Sequence, residues 1–126
     1  MAKFVSIMSG SEDHPIFIDA DNILMLRAME IIFVAGETIK WHGTYEFHYN
    51  KIVEKIKECS PYDWIELGYV VEDLGPLFIN KKYFKGLNFA NDNYDMIFER
   101  GNCTYELTIK DLTIDEAIKI IDAISD

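Results

Sequence analysis

The chain is 126 residues long, 49% hydrophobic and 13% aromatic, enough apolar material for one compact domain (1–126) with a core of its own. Its 22 aspartates and glutamates outnumber 12 lysines and arginines, for a formal charge of −10. The acids run through both halves rather than forming a tail, so an acidic surface is expected, one that repels nucleic acid and anionic lipid.

The opening stretch MAKFVSIMSGSEDH carries one lysine, a short apolar run and no small-residue cleavage site, so it reads as mature protein rather than a signal peptide. A first strand is expected over 4–8, and β-branched and aromatic residues place others at 16–18, 23–26 and 31–34, with turns at Ser9-Gly10-Ser11 and Ala35-Gly36-Glu37. IKWHGTYEFHY, residues 39–49, has the clearest period of two: Ile39, Trp41, Tyr45, Phe47 and Tyr49 on one side, Lys40, His42, Thr44, Glu46 and His48 on the other. It reads as a half-buried antiparallel strand with one wet face. Asn50 then caps a helix through Cys59, which Ser60-Pro61 stops.

In the second half, Ala90-Asn91-Asp92-Asn93 marks a turn, and Tyr105, Leu107 and Ile109 alternate along a strand. Thr113 with Glu116 three residues on forms a capping box for a helix over 113–124. Ile114, Ala117, Ile118, Ile121 and Ile124 follow at helical spacing, an apolar stripe expected to lie against a sheet.

The two halves resemble each other. PIFID at 15–19 matches PLFIN at 76–80, and Leu26 matches Leu87, at an offset of 61. Ile32, Phe33 and Gly36 match Ile97, Phe98 and Gly101 at 65, as Ile52, Val53, Ile56 and Cys59 match Ala117, Ile118, Ile121 and Ile124. One four-residue insertion in the turn at 90–93 brings all three blocks into order, although the strand with Tyr105 aligns at 64 and needs a one-residue adjustment. The expected fold is therefore α+β: an antiparallel sheet built from two tandem ββββα-like units, 3–60 and 65–126, with helices packed on it. MSGSEDHPIFIDADNI, and the IFVAGETI hairpin followed by KIVEKIKE, resemble the small flagellar FlbD-type proteins in running strand, turn, strand, hairpin, helix. The doubled length departs from that family, and no functional residue is carried over.

Motifs with chemistry are sparse. On the wet face of 39–49, His42, Glu46 and His48 are the candidate metal or acid–base set, but alternate strand positions stand about 6.5–7 Å apart, so three such ligands diverge unless Gly43 bulges. DADNILMLRAME places Asp19, Asp21 and Glu30 at calcium-loop positions but Ile23 and Leu24 where an oxygen ligand and a glycine belong. No glycine-rich phosphate loop or nucleophile elbow is present in the sequence, so neither a metal nor a cofactor is expected. Cys59 and Cys103 form no C-x-x-C pair and read as reduced, structural thiols of a cytoplasmic protein. Lys81, Lys82 and Lys85 around Tyr83 and Phe84 read as a charged strand edge rather than a nucleic-acid site.

These readings point to an acidic binding or inhibitory protein of the immunity or phage anti-defence type, acting on a basic, nucleic-acid-binding partner and not an enzyme. The candidate surface is Glu12, Asp13, Asp19 and Asp21 with Asp111, Asp115, Glu116 and Asp122. No direct nucleic acid or membrane contact is expected, and a homodimer is left open. The alternatives are a small enzyme or ligand-binding domain using His42, Glu46 and His48, and a scaffold that pairs through a sheet edge.

Overall fold

The computed structural model describes residues 4–7, 16–34, 37–40 and 45–125. In chain order the strands are β1 (Phe4–Ile7), β2 (Ile16–Asp19), β3 (Ile23–Arg27), β4 (Glu30–Phe33), β5 (Thr38–Lys40), β6 (Trp64–Glu66), β7 (Leu77–Asn80), β8 (Phe84–Ala90), β9 (Asn93–Arg100) and β10 (Cys103–Ile109). Helix α1 (Tyr45–Cys59) lies between β5 and β6, and α2 (Ile114–Ser125) follows β10. All described strand pairs are antiparallel, in sheets ordered β1-β2, β5-β4-β3-β7-β6 and β10-β9-β8. The fold is thus α+β.

The five-stranded sheet is the middle layer because its central strands are apolar on both faces. Leu26, Ile31 and Phe78 point into one core with Tyr49, Ile52, Val53 and Ile56 of α1. Met25, Ile32, Leu77 and Ile79 point into the other, against Met96 and Phe98 of β9 and Ile120 of α2. Leu24 and Met25, adjacent in sequence, share that second core because the β3–β4 register shifts between Ile23 and Met25. Without the shift, strict alternation would send one of them to the opposite face.

Asp19 ends β2 and accepts the Asp21 amide on Oδ1 at 3.0 Å, starting the 3₁₀ turn Ala20–Asn22 that leads into β3. Asn80 ends β7 in the same way, its Oδ1 accepting the Lys82 amide at 3.2 Å before the 3₁₀ turn Lys81–Tyr83 and β8. The backbone agrees at the two caps: φ −73, ψ 113 at Asp19 and φ −86, ψ 105 at Asn80. The turns also touch. Tyr83 donates its hydroxyl to the Asp21 carbonyl, Lys82 Nζ lies 3.7 Å from Asp21 Oδ1, and Arg100 donates to the Asn22 side chain. Lys82 and Tyr83 of the lysine and aromatic cluster are therefore built into this junction, with Lys82 and Arg100 both within 5.5 Å of the Tyr83 ring centroid.

Three expectations change. The strand expected over 39–49 ends at Lys40 in β5, and α1 begins at Tyr45. Aromatics at 45 and 49 satisfy a period of two and also the i, i+4 spacing of a helix, and Tyr49, Ile52, Val53 and Ile56 continue the helical phase into the core. Asn50 consequently sits inside α1 and is exposed, rather than capping it. Nor does each half close on its own sheet: β6 and β7 of the second half join β3, β4 and β5 of the first, so the halves interleave. The β8–β9 turn falls where expected, with Asn91 (φ 54) and Asp92 (φ 66) both left-handed, as a two-residue hairpin of this type requires.

Candidate functional site

Helix α2 starts where the sequence places it. The Thr113 amide donates to Glu116 Oε1 at 3.0 Å and the Glu116 amide to Thr113 Oγ1 at 3.1 Å, the reciprocal bonds of a capping box. The Thr113 backbone bond, then the Thr113 side chain, hold the Glu116 carboxyl below its ordinary range. The phase of the helix differs from expectation. Ala117 and Ile120 are buried, but Ile114 is 68% exposed, Ile118 53% and Ile121 37%. Five of the twelve residues are isoleucine, so the helix is apolar around more than half its girth, and the second core receives only one edge of that band.

At 100° per residue, Ile114, Ile118 and Ile121 form one ridge, and Asp115 and Asp122 run along its solvent flank. Lys119 comes next around the helix, then Glu116, which faces two clefts. One, of about 230 Å³, is lined by Arg27, Asp73, Lys110, Asp111 and Glu116. The other, of about 440 Å³, is lined by Glu72, Asp73, Glu116 and Lys119. Arg27 is already paired with Glu30 at 3.5 Å. The result is an exposed apolar ridge flanked by Asp115 and Asp122, while Glu72 and Asp73 of the β6–β7 connection lie beside Glu116 on the other side of the helix. Glu72 and Asp73 were missed from sequence because an acidic pair in a connection carries no signal until the fold sets it beside α2.

The remaining candidates are dispersed. Asp19 and Asp21 serve the turn after β2, Asp21 also facing Lys82. Glu12, Asp13 and His42 lie outside the described residues, as does the side chain of Glu46, while His48 is half-buried on α1. Among the described residues no group of three His, Cys, Asp or Glu side chains is placed to hold a metal ion. Cys59 is half-buried, Cys103 is exposed, and neither is bridged. No described helix is long and apolar enough to cross a membrane. No family model matches the chain, and neither a curated protein nor a solved structure matches it.

Proposed function

We propose that the protein binds a basic protein partner and seats an amphipathic segment of it along α2, as an inhibitor of the immunity or anti-defence type would. The observation that carries this reading is the exposed ridge of Ile114, Ile118 and Ile121 flanked by Asp115 and Asp122. Apolar side chains of the partner cover the ridge, and its lysines or arginines meet the flanking carboxylates. The overall charge of −10 steers such a partner and disfavours a second copy of the same acidic chain on this face.

A leucine–lysine amphipathic helical peptide, compared with a scrambled peptide of the same composition, tests this. The amphipathic peptide is expected to bind at least tenfold tighter than the scrambled one, and to lose that advantage with Ile118→Ser or with Asp115→Lys combined with Asp122→Lys. Equal binding of both peptides, or indifference to these substitutions in a folded protein, overturns the reading.

We also infer that the chain is a tandem of two units. The inference is supported by the recurrence of strand, side-chain-capped 3₁₀ turn and strand at an offset of 61, from Asp19 to Asn80. Superposition of backbone 16–27 on 77–88 in an experimental structure tests it, and failure of the two capped turns to coincide overturns it.

A further inference from the structure

A third cleft lies away from the α2 ridge, between α1 and the connection from β6 to β7. It measures about 270 Å³ and is lined by Tyr49 and Asn50 of α1 and by Glu66, Gly68, Tyr69 and Pro76. Its construction is specific. Glu66, the last residue of β6, accepts the Gly68 amide at 2.6 Å and the Leu77 amide at 3.2 Å, and both bonds fall on Oε1. One oxygen thus ties the two ends of the connection together, and the other takes no part in either bond. A Cβ at position 68 would stand 2.3 Å from the Gly75 carbonyl oxygen and 2.7 Å from Glu66 Oε1, so only glycine permits this closure.

Two groups around the cleft lack what their chemistry requires, and only the first is open to a guest. Glu66 is half-buried with no lysine, arginine or histidine paired to it among the described residues, and burial pushes its carboxyl up, against the lowering effect of the Gly68 and Leu77 amides. Tyr49 is 6% exposed, and its hydroxyl, sealed from solvent, has no hydrogen-bond partner among the described residues. Buried hydroxyls are nearly always paired. At the rim, Tyr69 is 90% exposed, an open aromatic face beside a carboxylate. Glu66 is the one charged side chain lining the cleft, so the sign of a charged guest is set.

We infer that this cleft is a binding site for a single primary ammonium or guanidinium group, which donates to Glu66 while Tyr69 packs on its aliphatic stem. Such a group supplies the missing counter-charge, and a cation beside a tyrosine ring is further attracted by the ring's negative face. The same chemistry is offered by a lysine side chain of a protein and by a free alkylamine. The site shares no residue with the α2 ridge and stands or falls independently of the partner proposed for that ridge.

Titration with n-butylammonium, followed by the backbone amide signals of Gly68 and Leu77, tests it. A saturable shift at both amides is expected. It should weaken at least tenfold in Glu66→Gln and severalfold in Tyr69→Ala, and be absent with butyrate. Binding is also expected to weaken as the pH falls and Glu66 takes up a proton. N-acetyl-lysine methylamide binding tighter than butylammonium supports a protein lysine as the source, and the reverse supports a free amine. Tyr69→Ala alters an exposed side chain, so it reports even if Glu66→Gln does not fold. No saturable shift, equal binding of butyrate, equal binding of tetramethylammonium, which has no N–H to donate, or a folded Tyr69→Ala variant that binds like the parent each overturn the assignment.

Discussion

The buried amide of Asn80 joins two distant parts of the chain: its Nδ2 donates to the Ile23 carbonyl at 3.2 Å while its Oδ1 accepts the Lys82 amide. Asn80 is 1% exposed and Ile23 fully buried, so the Ile23 carbonyl cannot turn to water if the side chain is removed. Asn80→Ala is therefore expected to destabilise the fold by about 2–3 kcal/mol, measured by denaturant unfolding. Asp19→Asn, which preserves the acceptor at the corresponding turn, is expected to change stability by less than about 0.5 kcal/mol. Equal effects at the two positions would contradict the bonding described for Asn80.

The phase of α2 is open to a paired comparison. Ile120 is fully buried and Ile118 is 53% exposed. Ile120→Ala is expected to cost about 2–5 kcal/mol and Ile118→Ala no more than about 0.5 kcal/mol. The reverse order in thermal or chemical unfolding would mean that the helix is rotated from the orientation seen here.

Gly68 is expected to reject a side chain. A methyl group there meets the Gly75 carbonyl oxygen at 2.3 Å, a backbone atom that moves only with its loop. Gly68→Ala is expected to cost about 1–3 kcal/mol, read as a lowered denaturation midpoint.

Two carboxylates give opposite pH dependences. Glu66 is raised above 4.5 by burial, so the folded state holds its proton more tightly than the unfolded chain, and the Glu66 contribution to stability falls as pH rises from 4.5 through the folded value. Glu116 is lowered, so its contribution is present above 4.5 and is lost as pH falls through the folded value. Unfolding curves of Glu66→Gln and Glu116→Gln across pH 3–7 are expected to lose these two slopes separately, in a window of about that width around the ordinary carboxylate range. Identical pH profiles for the parent and both variants would rule out the assigned environments.

What could be read in the chain was local. A side-chain oxygen at Asp19 or Asn80, two residues before an amide it can reach, makes a turn without help from elsewhere. Thr113 and Glu116 likewise cap α2 through bonds spanning three residues. Asn91 and Asp92 tolerate the left-handed backbone of a tight hairpin, which made that turn legible too. The start of α1 was not legible, because aromatics at 45 and 49 fit two periods at once and only the packing of Tyr49, Ile52, Val53 and Ile56 with Leu26, Ile31 and Phe78 favours the helical one. The ambiguity was sharper in α2, where isoleucines at 114, 118, 120, 121 and 124 offer several burial edges of similar hydrophobicity.

The sequence by itself determined the α+β class, the cap of α2, the β8–β9 hairpin turn and the sign of the net charge, because each depends on neighbours along the chain or on a sum over it. Tertiary structure decided that β7 pairs with β3, that Ile118 faces solvent while Ile120 does not, and that Tyr49 and Glu66 line one cleft. These depend on contacts between residues far apart in the chain, whose competing arrangements differ in how much apolar surface each buries, and no local pattern records that difference.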